Sequence, residues 1–349
     1  MFCECKEDGF CRRYQREMGG RMREVCAGVN VDIGTSAAFR EQWAREVEVN
    51  KFEGNPKSLL LRTDQAPGDA LVMTAAIYSL HKAYPGKYVT AVESQWPEVF
   101  AHNPYIVQAQ SDFGDLHMHY PAIHKSNERG IHFMQGWCEF LGMALEIDIP
   151  LLTNRPHLYF SDPAPPVEDF WLICSGGKTD FTNKLWGYLN YVRVAASLSR
   201  EVKFIQVGNT LKEHPRINTT NVTYMVGQTT LRELFDLTRR ARGVLCGVSL
   251  LMHIAAALEK PAIIVAGGRE PVQWNAYPKQ HYMHTVGALP CRSVLGVVGG
   301  ACWRSRTVAL NDGTVLDKDL CERPVDGTPE CMTLIKPSQV AALILNYNR

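Results

Sequence analysis

Three short segments of this sequence combine groups able to activate a hydroxyl and to receive a negatively charged leaving group. The first is Arg62-Thr63-Asp64-Gln65-Ala66-Pro67-Gly68-Asp69-Ala70, which leads from an apolar run into helix-forming sequence. Gly68 permits tight backbone geometry there. Asp69 at a helix start gains from the helix dipole and from backbone N–H groups, as a plain cap would, and a carboxylate in that place can also serve as a general base. The second segment is Cys174-Ser175-Gly176-Gly177-Lys178, followed by Lys184-Leu185-Trp186. Small residues after a strand, lysines and a helix N-terminus make a seat for a diphosphate. The third, Gly247-Val248-Ser249-Leu250-Leu251-Met252-His253, brings a hydroxyl and an imidazole to another strand-to-helix turn. Gly227 and Thr229, ahead of a predicted helix, are grouped with Ser175, Lys178, Lys184, Ser249, Met252 and His253 as one binding set. Arg62, Gly68 and His132 form a second set beside Asp69. His117, His119, His124 and His132 are dense but lack a carboxylate at the helical spacing of a His-Glu-x-x-His metal site, so they read as substrate contacts or surface residues. Asp317-Lys318-Asp319 has the short D-x-D spacing, which arises readily by chance.

The 11 cysteines are clustered. Cys3, Cys5, Cys11 and Cys26 lie near the N-terminus and Cys291, Cys302, Cys321 and Cys331 near the C-terminus, while Cys138, Cys174 and Cys246 are scattered. Four thiolates can close a tetrahedral shell around zinc or iron, so each cluster is a candidate structural metal site. Neither has paired C-x-x-C spacing, and free cysteines also serve as small buried hydrophobes.

The elements that must carry these groups follow from periodicity. The 349 residues correspond to roughly two domains of ordinary size. From Ser58 onward strands and helices alternate, the pattern of a parallel sheet wrapped by helices. Ser58 to Arg62, Tyr88 to Val92 and Ile106 to Gln110 read as strands, and Ala70 to Ala83 and His132 to Leu145 as helices. The proline cluster from Ser161 to Pro166 is a linker. Beyond it the pattern predicts strands at Phe170 to Cys174, Lys203 to Val207, Val222 to Met225, Gly243 to Cys246 and Ala262 to Val265. It predicts helices at Leu185 to Leu198, Leu231 to Arg240, Leu251 to Leu258 and Ser338 to Tyr347. The expected organisation is a Cys-rich N-terminal module over 1–55, a Rossmann-like domain over 56–160, a second over 161–286 and a Cys-rich segment ending in a helix over 287–349. The fold class is α/β, two doubly wound domains with a cleft at their strand ends.

Taken together these segments resemble the ADP-heptose-type glycosyltransferases, or heptosyltransferases, of two-domain GT-B architecture. Arg62 to Ala70 is similar to that family's Arg followed by Gly-Asp, and Lys184 and Trp186 to its Lys-x-Trp. Met252 to Pro261 is similar to its Met-His-x-Ala-Ala-Ala-Leu-x-x-Pro, and Ala266-Gly267-Gly268-Arg269-Glu270-Pro271 to its Phe-Gly-Pro-Thr-Asp-Pro. Where the family carries Asp-Thr-Gly ahead of Met-His, this chain has Val248-Ser249-Leu250. The C-terminal cysteines resemble the iron finger of bacterial autotransporter heptosyltransferases.

The resemblance implies an inverting transfer of a sugar, heptose or similar, from a nucleotide-diphospho-sugar, ADP-linked for preference. The acceptor would be a glycan, peptide or protein. Asp69 would be the base, and Lys184, Lys178 and N–H groups near Ser249 would stand in for a catalytic divalent ion. A non-catalytic nucleotide-sugar-binding protein is the alternative, motivated by the missing Asp-Thr-Gly, and a nucleic-acid-acting module is a third reading. The net charge of +1 creates no field for nucleic acid, and no apolar run reaches the roughly 20 residues of a membrane span. The acidic, Cys-bearing N-terminus is unlike a secretory signal, so a cytoplasmic location is expected, with self-association left open.

Overall fold

The computed structural model describes residues 55–119, 130–209, 214–291 and 301–348. These fall into two compact units divided between Pro163 and Ala164. The N-terminal cysteines and His124 lie outside the described residues.

The first unit is built on strand β1 (Asn55–Thr63), which pairs in parallel with β2 (Val89–Ser94) on one side and β3 (Phe113–His117) on the other. Helix α1 (Pro67–Ala83) follows β1 directly. Its Ala, Leu and Met residues favour the helix, Pro67 opens it with a fixed φ, and Pro85 and Gly86 lie just past its end. Ala70 to Ile77 are all buried, so α1 is held by packing on nearly every face. It packs against α2 (Phe133–Ala144), whose Trp137, Phe140 and Leu141 are fully or almost fully buried. The expected strand at Ile106 to Gln110 does not form; Ile106 makes only an isolated bridge to Thr90. The third strand lies further on, in Phe113-Gly114-Asp115-Leu116-His117, where only Gly114 and Leu116 turn fully inward.

The second unit is a six-stranded, wholly parallel sheet. In chain order its strands are β4 (Trp171–Cys174), β5 (Phe204–Gln206), β6 (Val222–Tyr224), β7 (Gly243–Gly247), β8 (Ala262–Gly267) and β9 (Gln280–His284). Their spatial order is β6-β5-β4-β7-β8-β9. This is the doubly wound arrangement in which the chain reverses direction across the sheet between its first and fourth strands. All residues of β4 and β8 are buried, as parallel strands covered on both faces should be.

The helices between them are α3 (Tyr188–Ser197), α4 (Leu231–Arg240) and α5 (Leu250–Ala257). Helix α4 begins with a capping box: the Thr230 hydroxyl accepts from the Glu233 N–H, and the Glu233 carboxylate accepts from the Thr230 N–H. Helix α3 starts three residues later than its apolar pattern suggests. A 3₁₀ segment, Thr179–Lys184, precedes it, and Gly187 at φ 86° caps it in a conformation that suits glycine.

The chain beyond residue 286 belongs to this same unit. Its last helix, α6 (Pro337–Asn348), packs on α3, and Met332, Ile335, Val340 and Ile344 join Trp171, Trp186 and Phe204 in one core. Among the described residues no helix is long and apolar enough to cross a membrane.

Candidate active site

Strand order gives the second unit its candidate site. β4 and β7 are neighbours that lead to opposite halves of the sheet, and their ladder ends with Cys174 opposite Cys246. The turns that follow, Ser175-Gly176-Gly177 after β4 and Val248-Ser249 after β7, therefore leave the sheet side by side at the point where doubly wound folds bind ligands.

Ser175 is buried, and its hydroxyl accepts from Gln206 Nε2 at 3.1 Å. The Gly176 N–H donates to His214 Nδ1 at 3.1 Å. That packing depends on Gly208, where a Cβ would lie 2.4 Å from the His214 ring. The 3₁₀ segment then brings Lys184 back against the same strand ends, its carbonyl oxygen 3.2 Å from where a Cβ on Gly247 would stand. Ser249 occupies the N-cap position of α5, but its hydroxyl makes no capping hydrogen bond and is buried next to the Cys246 thiol.

Lys184 is drawn to Glu270. Its Nζ lies 2.7 Å from Glu270 Oε1, while Arg269 closes on the same oxygen and Asn275 Nδ2 donates to Oε2 at 2.6 Å. Burial alone would push the Glu270 carboxyl up, but Lys184, Arg269 and nearby His253 outweigh it and hold the acid below its ordinary range. His253 is itself buried, with Nδ1 bonded to the Tyr277 hydroxyl at 2.8 Å. Glu270 thus ties Lys184 to Arg269, residues that stand in separate motifs of the sequence.

Other members of the set are less central. Met252 is buried, and its carbonyl accepts from Gln280. Lys178 is exposed at the start of the 3₁₀ segment. Gly227, at φ 71°, shapes the turn before α4, and Thr229 is half-buried there. Burial pushes the Cys174 thiol up to about 12 and the Cys246 thiol well above its usual range, so both are protonated packing groups at neutral pH.

In the first unit Asp69 is half-buried in the first turn of α1. The cap itself is Ala66, two residues before Gly68, so Asp69 is not the N-cap and Gly68 has no positive φ to explain it. Arg62, next to last in β1, forms ion pairs with Glu93 and, at 2.6 Å, Asp115. His117 and His119 face each other at 3.0 Å, with His117 3.7 Å from Asp64. His132 caps α2, its Nδ1 accepting from the Met134 N–H.

Cys291, Cys302, Cys321 and Cys331 line one cavity of the second unit together with Arg269 and Arg304. Burial raises the Cys331 thiol to about 11, with the Gly268 N–H opposing and the other three thiols adding. Cys291 and Cys321 are raised for the same reasons, burial first. Among the described residues no three His, Cys, Asp or Glu side chains are drawn into a closed metal shell, so the thiols share a cavity without converging on one point. Asp317 of the D-x-D sequence accepts from Arg306 and from the backbone of Leu310 and Asn311, which accounts for it as a loop clamp.

Comparison with known proteins agrees with this geometry. Residues 154–295 match the family model described as glycosyltransferase family 9 (heptosyltransferase). No curated protein sequence matches the chain. Among solved structures the chain is similar to the bacterial iron-containing dodecameric glycosyltransferase TibC from enterotoxigenic E. coli. The TM-score is 0.60 at 17% identity, over 85% of this chain and 77% of that one. It is similar to the family 9 glycosyl transferase from Veillonella parvula, with a TM-score of 0.57 at 12% identity over 86% and 99% of the two chains. For E. coli ADP-heptose LPS heptosyltransferase II the values are 0.52 and 14%, over 83% and 98%. All share the GT-B fold. Residues 154–295 therefore resemble the family 9 glycosyltransferases, and the chain shares the GT-B fold of these heptosyltransferase structures.

Proposed function

We propose that this glycosyltransferase moves a heptose or similar sugar from an ADP-linked donor to a hydroxyl of a glycan, peptide or protein, with inversion at the anomeric carbon. The observation that carries the reading is the convergence of Ser175, Lys184 and Ser249 on the ends of β4 and β7, inside the region matched by the family model. Turn N–H groups and an ammonium offer a departing diphosphate hydrogen bonds that strengthen as negative charge develops on it. Asp69, in the first turn of α1, takes the proton from the acceptor hydroxyl as its oxygen attacks the anomeric carbon. The C–O bond to the diphosphate breaks, and the nucleoside diphosphate leaves with the bonding pair.

Cys291, Cys302, Cys321 and Cys331 are the residues that would hold a structural ion. Four soft sulfur donors lining one cavity are of the type that suits iron or zinc, and a cation there would favour the thiolate forms that burial now disfavours at Cys291, Cys321 and Cys331. Such an ion would supply cross-linking of the chain, not a step of the transfer. The seven described cysteines are all free, which suits a cytoplasmic setting.

Incubation with ADP-heptose and candidate acceptors tests the reading. Acceptor-dependent release of ADP, with glycosylated product found by mass spectrometry, is expected. A protein that binds ADP-heptose but never turns it over would instead be a nucleotide-sugar-binding protein.

A further inference from the structure

Glu270 is the least expected member of the second unit's polar residues. It is 1% exposed, yet its side chain holds both Lys184 and Arg269 and takes a further hydrogen bond from Asn275. A carboxylate removed from water loses hydration that ion pairing often only restores, so a buried ion pair is weak evidence of a contribution to stability. Its value is better sought in what it fixes.

Arg269 is itself immobilised. Its Nε donates to the Arg304 carbonyl at 2.8 Å, and its guanidinium lies 4.0 Å from the centre of the Trp303 ring and 5.2 Å from that of Phe181. With Arg269 clamped and Asn275 holding the other oxygen, the Glu270 carboxylate has little freedom. The ammonium bound to it inherits that rigidity, while the Lys184 side chain is still 30% exposed. Lys184, Arg269 and Glu270 together carry one net positive charge, and the part of it that reaches solvent is the lysine.

We infer that Glu270 is a positioning residue: it holds the Lys184 ammonium in place so that the donor's diphosphate meets a preset charge. This rests on the reading of Lys184 as a diphosphate contact. A lysine left to itself samples many rotamers and must lose that freedom on binding; one held by a rigid carboxylate has lost it on folding. Removing the Glu270 charge also exposes Lys184 to the uncompensated Arg269 guanidinium, which drives the ammonium from its seat.

The test is calorimetric titration of the full-length protein with ADP and with adenosine, which lacks the phosphates. Glu270→Gln is expected to weaken ADP binding about 10-fold and adenosine binding less than about 2-fold, the signature of a lost charge-assisted contact. Lys184→Met should do the same, and the double variant should bind ADP no more weakly than Lys184→Met alone, because one residue acts through the other. Glu270→Asp, which keeps the charge on a shorter stem, provides a milder version should the amide variant not fold. Equal losses for ADP and adenosine, additive losses in the double variant, or undiminished ADP binding when Glu270 is altered would each overturn the inference. If the two Glu270 variants are silent while Lys184→Met weakens ADP, the inference alone fails. If Lys184→Met is silent, or the wild-type protein does not favour ADP over adenosine, the donor-site reading fails with it.

Discussion

The indole of Trp186, two residues beyond Lys184, donates to the carbonyl of Ile335 at 3.0 Å, joining the candidate donor site to a segment 149 residues further along the chain. Trp186 is fully buried, and its ring meets Tyr191 edge-to-face at 5.1 Å between centroids. The Lys-x-Trp sequence therefore divides its labour: the tryptophan anchors the turn that presents the lysine. Trp186→Ala removes a large buried ring and orphans a carbonyl, a change expected to cost on the order of 3–5 kcal/mol. Denaturant unfolding should show a large fall in midpoint, and deletion of the chain from Pro337 onward should destabilise the same unit by exposing the surface that α6 covers. An unchanged midpoint in either variant would contradict this role.

Asp69→Asn is expected to lower unfolding stability by no more than about 1 kcal/mol, the size of the dipole contribution of an acid in the first turn of α1. Transfer should slow by about 100-fold or more, the usual consequence of losing a general base. ADP affinity should hold. Turnover within a factor of a few of wild type would remove Asp69 from the mechanism.

The C-terminal thiols make a prediction of composition. Protein purified without added metal should contain close to one equivalent of iron or zinc at Cys291, Cys302, Cys321 and Cys331. Cys321→Ser should lower both metal content and thermal stability. Elemental analysis finding less than about half an equivalent of any transition metal, well below what structural thiolate sites retain, would return the four to free thiols.

The first unit should lose stability in acid through His157. Burial, and secondarily Arg155, lower this imidazole to about 4, while its ring stacks on Tyr78 at 4.1 Å between centroids. An unfolded histidine titrates near 6.5, so between about pH 6.5 and 4 the unfolded chain binds a proton that the folded one refuses. The contribution of neutral His157 is thus fully present above pH 6.5 and is lost as pH falls toward 4. Because the ring is partly exposed, screening reduces the effect to on the order of 1–2 kcal/mol. His157→Phe should flatten that part of the stability profile, and an unaltered profile would count against it.

Much of this architecture is legible in the sequence because burial on both faces of a parallel sheet leaves continuous apolar runs. Phe170 to Cys174 and Ala262 to Val265 are of that kind, and both fall on strands. β3 escapes because Gly114 and Asp115 interrupt the pattern, and β9 because Gln280, His281 and His284 make it read as polar. The order β6-β5-β4-β7-β8-β9 is invisible to periodicity, which registers elements but not neighbours. It is this order that sets Ser175 beside Ser249. The link from Lys184 to Glu270 spans 86 residues and joins two motifs with no local relation; an Arg-Glu pair directly after a run as apolar as Ala262 to Gly268 is the one sequence hint of it. Likewise nothing near Gly176 foretells that His214 accepts its N–H.

A structure of the protein soaked with ADP-heptose tests the central claim most directly. The diphosphate should lie over the ends of β4 and β7, with Lys184 Nζ and the N–H groups after Cys174 within about 3 Å of its oxygens, the ordinary hydrogen-bond distance. Nucleotide density elsewhere in the chain, or no density at a donor concentration that saturates turnover, would contradict the account.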